Sequence, residues 1–280
     1  MFTPQNMPEY MLFNTIRIAA HNSTGTIGVG TGFFFDYIVA KNKSVRYIIT
    51  NKHVIESSEW VEFELNEREI VNGADVPSGT HITVKLEKSE ADWIAHPDGE
   101  VDLCAMPFHS TGLDLHRQGV SIFDLAIGSN AIPTDEELAG FSVASRVLMV
   151  GYPNGLFDDV NNFPIVRQGI TASHPLIDYQ GRSEGVVDIA CFPGSSGSPI
   201  MLPSQENMQL GEPRLLGVLY AGPVMNAEGE IVIRNVPTSV TPISVTELMI
   251  HLGYYVKAKE VLVLAEHGKE LLVTQGRAFF

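Results

Sequence analysis

Three short segments carry side chains whose types could act together on a substrate. The first is Thr50-Asn51-Lys52-His53-Val54, a histidine just past an apolar β-type run. The second is Val101-Asp102-Leu103-Cys104-Ala105-Met106, an aspartate opening an apolar run. The third is Phe192-Pro193-Gly194-Ser195-Ser196-Gly197-Ser198-Pro199, a turn of glycines and serines between apolar runs. A serine hydroxyl is a weak nucleophile at neutral pH. It needs a base such as His53, and the base needs an acceptor such as Asp102 to fix its tautomer. Glycines at 194 and 197 permit unusual φ values, so backbone N–H groups can be aimed at one point. The N–H groups of Gly194 and Ser196 are then the candidate oxyanion donors, and losing one such donor costs on the order of 10²–10³ in rate. Taken singly, each residue has a plainer reading. One histidine among nine is more often structural, Asp102 could merely start a strand with Asp98 as its rival, and Ser196 could be a turn serine.

The elements that must position these residues are short strands. Thr15–Ile18, Arg46–Thr50, Trp60–Leu65 and Ile82–Leu86 are rich in β-branched and aromatic residues and partly alternate at period two. Arg146–Val150, Gly185–Ile189, Leu215–Tyr220 and Ile231–Ile233 repeat the texture in the second half. Many short strands with regular turn signals read as antiparallel sandwiches or barrels. The polar segment 129–137, with Pro133, reads as a linker between two such units. The best helix signal is a capping box at Ser244-Val245-Thr246-Glu247, opening a helix that closes at Gly253. The run from Glu260 to Val273 fits either a hairpin or a second helix.

Composition narrows the class. The chain has 280 residues, 18 Lys+Arg against 33 Asp+Glu, and a formal charge of −15. The length suffices for a sizeable core, and the acidic balance excludes a basic face for nucleic acid or anionic membrane. The N-terminus lacks a basic n-region before its apolar residues, and no stretch approaches the roughly 20 apolar residues of a spanning helix. A cytoplasmic location with reduced thiols is therefore expected. Cys104 and Cys191 have no metal-type spacing and read as small buried hydrophobes; no metal and no cofactor are expected. Gly30-Thr31-Gly32 lacks the third glycine and the following helix of a dinucleotide fingerprint.

The ordered set of segments resembles the trypsin-like serine peptidases of the chymotrypsin fold. GSSGSP at 194–199 is similar to the family's G-x-S-G-[GS]-P, TNKHV at 50–54 to its histidine segment, and VDLCAM at 101–106 to its aspartate strand. The spacings, 49 residues from His53 to Asp102 and 94 from Asp102 to Ser196, suit a histidine and aspartate in one barrel and a serine in the other. Gly30-Thr31-Gly32-Phe33, Gly151-Tyr152-Pro153, Gly169-Ile170-Thr171 and Gly217–Gly222 resemble further family segments, several of them typical of the high-temperature-requirement (Deg-like) branch. The resemblance covers about residues 12–252.

It implies an all-β fold of two antiparallel barrels with a C-terminal helix. Residues 1–128 would carry His53 and Asp102. Residues 129–253 would carry Ser196 and end in the helix, with 254–280 as an extension. It implies peptide-bond hydrolysis by an acyl-enzyme route with His53, Asp102 and Ser196, and a polypeptide substrate. The primary pocket would be walled by Ala190, Cys191, Phe192 and Pro193, by Tyr220, Ala221 and Gly222, and by a third stretch near Asn235–Val240. Ala190 lies six before the serine, where no acid is present, so small or medium apolar side chains are expected there. Ser195 stands where secreted members have an aspartate that pairs with a processed N-terminus, so that activation is ruled out. The residues after Gly253 are too few for the PDZ domain of Deg-like members. An activating partner or a homo-oligomer would then control the enzyme. The competing readings are a pseudoprotease acting as a binding module and an esterase with the same triad. A histidine base must be neutral to act, so activity is expected to rise with pH through about 6.5–7.

Overall fold

The computed structural model describes residues 2–89, 92–203, 214–230, 243–249 and 251–277, with side chains described outside 224–230 and 243–249. Helix α1 (Met7–Asn14) is capped by the Asn6 side chain and leads into the first sheet. Its strands are β1 (Thr15–Asn22), β2 (Gly25–Ala40), β3 (Lys43–Thr50), β4 (Trp60–Val71), β5 (Ala74–Glu87), β6 (Ile94–Ala95), β7 (Cys104–Pro107) and β8 (Ile127–Gly128). Helices α2 (Lys52–Ile55) and α3 (His109–Arg117) interrupt them. The order is β5-β4-β1-β2-β3-β7-β6, with β8 beside β2. The sheet curls around Ile16, Ile18, Phe34, Ile48, Phe63, Val84, Cys104 and Met106, and α3 adds Leu115. Among the described residues its hydrogen-bonded path runs from β5 to β6 without a closing pair, and together with the second unit it makes the expected two-unit all-β fold.

The second half does close. Strands β9 (Arg146–Gly151), β10 (Ile165–Thr171), β11 (Glu184–Asp188), β12 (Pro199–Leu202), β13 (Arg214–Ala221) and β16 (Leu252–Lys257) form a six-stranded barrel, ordered β10-β11-β16-β13-β12-β9. Between β13 and β16 stands a hairpin of β14 (Val224–Glu230) and β15 (Ile243–Met249), with Val224 opposite Met249. This corrects the helix expected at 244–252. The capping box lies within β15, where Ile243, Val245 and Thr246 are β-branched and pairing with β14 prevails over a local cap. Residues 129–137, expected as a linker, hold a 3₁₀ turn at Ser129–Ala131 and the start of α4 (Asp135–Ala139), a helix with a Thr134/Glu137 capping box.

The C-terminal helix is α5 (Ala258–Thr274), which settles the reading of the tail left open by the sequence. It lies against the first sheet: the Tyr47 hydroxyl donates to the Ala265 carbonyl at 3.1 Å. Val261, Leu264, Ala265 and Leu272 join one buried cluster with Phe33, Tyr47 and Ile49 of the first sheet and Val150, Met201 and Val218 of the barrel. Gly268 makes this close approach tenable, because a Cβ there meets the Tyr47 hydroxyl at 2.9 Å and its ring at 3.2 Å. Gly268→Val is expected to cost about 2 kcal/mol by overpacking, lowering Tm by roughly 4–8 °C in a thermal melt. An unchanged Tm would mean that α5 is not seated on Tyr47. Both cysteines are free and buried. Among the described residues no helix is long and apolar enough to cross a membrane.

Candidate active site

Strand pairing brings the histidine and aspartate together. β3 and β7 run antiparallel with Thr50 opposite Cys104, so the residues just beyond each end, His53 in α2 and Asp102 before β7, meet. The His53 ring Nδ1 lies 2.5 Å from Asp102 Oδ2, and the His53 backbone N–H donates to Oδ1 at 3.3 Å. Asn51, fully buried, donates from Nδ2 to the Asp102 carbonyl at 2.7 Å and fixes that backbone. The Asp102 side chain is 25 % exposed and the His53 side chain 45 %. Burial pushes the Asp102 carboxyl up. Hydrogen bonding and the charge of His53, with the backbone N–H groups of His53 and Lys52, outweigh it, and the net pKa lies below the ordinary carboxylate value.

The serine comes from the loop between β11 and β12. Gly194 and Gly197 adopt φ of +86° and +85°, which only glycine tolerates without strain. Gly197 N–H donates to the Leu219 carbonyl at 2.8 Å. The Pro193 carbonyl turns away to accept from Asn154 N–H at 2.6 Å, and the Phe192 carbonyl accepts from Ser195 N–H at 3.0 Å. Among the described residues, the N–H groups of Gly194 and Ser196 have no protein acceptor. Two free donors around a tight turn can hold a developing oxyanion. The Ser196 hydroxyl donates to the Tyr220 carbonyl at 3.4 Å, a long bond, and has no hydrogen bond to His53 among the described residues.

One residue from the first sheet braces this loop, and sequence reasoning missed it. Thr31 of β2 is fully buried; its Oγ1 donates to the Gly194 carbonyl at 2.9 Å and its N–H to the Ser196 carbonyl at 2.8 Å. Thr50 Oγ1 in turn donates to the Thr31 carbonyl at 2.7 Å. The Gly-Thr-Gly-Phe segment was legible as a family strand, but its bond to the serine loop crosses the two halves of the molecule.

Of the expected pocket residues, Cys191 is buried, Ala190, Phe192, Tyr220, Ala221 and Gly222 are half-buried, and Pro193 is exposed. The third wall expected near Asn235–Val240 lies outside the described residues. Among the described residues, His251–Gly253 lies beside residues 189–192. The His251 carbonyl accepts from Ile189 N–H at 2.9 Å, the Phe192 and His251 rings meet edge to face at 6.0 Å, and a Cβ on Gly253 lies 2.6 Å from Cys191 Sγ. Among the described residues no group of His, Cys, Asp and Glu is arranged to hold a metal ion. The arrangement can supply a base with a fixed tautomer, a hydroxyl on a tight glycine turn and paired N–H donors.

The family model described as a trypsin-like peptidase domain matches residues 30–208. A comparison with curated proteins finds no match. Among solved structures, the serine endoprotease from Yersinia pestis is similar at 17 % identity and a TM-score of 0.48, over 99 % of this chain and 70 % of that one. The inactive form of Rv3671c from Mycobacterium tuberculosis gives 15 % identity and a TM-score of 0.43, over 98 % of both chains. The HtrA-type protease AlgW with a tripeptide gives 14 % and 0.47, over 95 % of this chain and 62 % of that one.

Proposed function

This chain belongs to the trypsin-like peptidase family and is a serine endopeptidase; on that premise we propose that His53, Asp102 and Ser196 are its catalytic triad and that the N–H groups of Gly194 and Ser196 are its oxyanion hole. The observation that carries this reading is the 2.5 Å contact between His53 Nδ1 and a carboxylate that also accepts the His53 backbone N–H. Ser196 attacks the scissile carbonyl, His53 takes the proton and returns it to the leaving amine, and Asp102 holds the ring and stabilises its charged form. A pocket floored by Ala190, with no acid at that position, favours small or medium apolar side chains at the cleaved bond.

The test is labelling of the purified protein with a fluorophosphonate probe, with Ser196→Ala beside it. Labelling of the wild type and none of the variant is expected; equal labelling of both would remove Ser196 as nucleophile. Comparison of matched amide and ester substrates separates a peptidase from an esterase. The hydrogen bond from Ser196 to Tyr220 favours a second reading, in which the hydroxyl rests until substrate or a partner draws it to His53. Under that reading the isolated protein labels slowly and an activator speeds it.

The acid limb of activity follows from the site's charges. Because its pKa is held below the ordinary carboxylate value, Asp102 stays ionised above about pH 5. The acid limb of log kcat/KM should therefore report one proton, with unit slope below its inflection. A slope near two would mean that the carboxylate titrates with the ring. For stability the sign is that of a depressed carboxylate. Asp102 contributes fully above its unfolded-state pKa, and the contribution is lost as pH falls through the folded value.

A further inference from the structure

The loop that ends at Ser196 is held from behind by a cation that the proposed mechanism does not use. Arg167 lies on β10 opposite Met149. Its Nη1 donates to the Ala190 carbonyl at 2.7 Å and to the Ser195 hydroxyl at 2.8 Å. Those two acceptors bracket the segment from the pocket floor to the residue before the nucleophile. Ser195 is fully buried, and its hydroxyl also accepts from Phe192 N–H at 3.4 Å. One guanidinium nitrogen thus ties together both ends of the loop whose carbonyls must stay turned away from the oxyanion donors.

The rest of the guanidinium is poorly served. Its Nε and Nη2 are buried without acceptors, and among the described residues no carboxylate pairs with it. Burial pushes its pKa down to about 10, which still leaves it charged at neutral pH. A buried donor without a partner is costly, and apolar replacements of such groups are often neutral or stabilising. A side chain kept only for packing would be better as methionine. The cost falls at a residue that grips the active-site loop.

We propose that Arg167 is a positioning residue, which holds Ala190–Ser195 in the conformation that leaves the Gly194 and Ser196 N–H groups open. Its acceptor at Ser195 is a neutral hydroxyl. The proposal rests on the triad reading above, and the experiment separates the two.

The experiment compares wild type, Arg167→Met, Arg167→Lys, Ser195→Asp and the double variant Ser195→Asp/Arg167→Met. It measures fluorophosphonate labelling rate, kcat, KM and Tm. Arg167→Met is expected to lose about 100-fold in labelling and kcat, the size of losing an oxyanion donor, while KM changes less than about threefold. Its Tm is expected to hold or rise, opposite in sign to the activity. Arg167→Lys, which keeps a cation and donors, is expected to recover about tenfold of the loss. Ser195→Asp gives the guanidinium a carboxylate and should label like wild type; in the double variant that carboxylate is stranded and labelling is lost. Labelling of Arg167→Met within about threefold of wild type overturns the proposal. So does a fall of Tm in step with activity, which marks simple structural support. A change confined to KM for substrates with an acidic residue at the cleaved bond also overturns it, in favour of a pocket role. Absence of labelling in the wild type overturns the triad reading itself.

Discussion

Asp102→Asn is expected to give a folded protein whose kcat is lower by on the order of 10⁴, with KM little changed. The loss follows from which atoms surround the carboxylate. Oδ1 faces the His53 backbone N–H at 3.3 Å, and Lys52 N–H also bonds the carboxylate. An asparagine must keep its oxygen toward those donors, so its NH₂ is turned to His53 Nδ1. That nitrogen then has to accept, which moves the ring proton to Nε2, the nitrogen needed to take the proton of Ser196. The tautomer is wrong although the geometry survives. Asn51 still holds the Asp102 carbonyl, so the fold has no reason to fail. Steady-state kinetics together with a thermal melt check this. A loss smaller than about tenfold would mean that the carboxylate does not set the tautomer.

The second large effect is on folding. Gly197→Ala adds a Cβ 1.8 Å from the Thr31 carbonyl oxygen and 2.7 Å from Thr50 Oγ1, at a φ of +85°. Those oxygens belong to the hydrogen bond that joins β2 to β3, and Thr31 itself holds the serine loop. Nothing there is the free end of a flexible side chain, so backbone must move. The expected cost exceeds about 4 kcal/mol, a large part of the roughly 5–15 kcal/mol that keeps a domain folded. The variant should be mostly insoluble, or melt well below wild type. Gly99→Ala is the matched control, since a Cβ there meets nothing within 4 Å. Equal urea midpoints for the two variants would contradict the close approach of Gly197 to Thr31.

What could be read from the chain, and what could not, divides by the range of the interaction. His53, Asp102 and Ser196 each sit in a segment whose neighbours announce it, and the strands around them carry their own signals. The register of Thr50 against Cys104, which brings two of them together, has no local trace. Arg167 was missed for a related reason. In β10 the apolar Val166 and Ile170 are exposed, at 38 % and 37 %, while Arg167 on the other face reaches the Ala190 carbonyl and the Ser195 hydroxyl. Reading apolar residues as the buried face assigns these the other way round. The capping box at Ser244 misled because a cap is worth about 1 kcal/mol, and a seven-residue hairpin pairing with β14 exceeds it. The helix of the tail was ambiguous in pattern alone; Gly268 marks its contact with Tyr47 only once the helix is placed on the sheet.

The seat of α5 on Tyr47 has a consequence for folding. Residues 258–274 complete a core begun by residues 33–49, so the two contributions are separated by most of the polypeptide. Such long-range closure makes assembly slow and late. Until α5 is in place, the Tyr47 face of the first sheet stays uncovered, and the apolar cluster it shares with the barrel is incomplete.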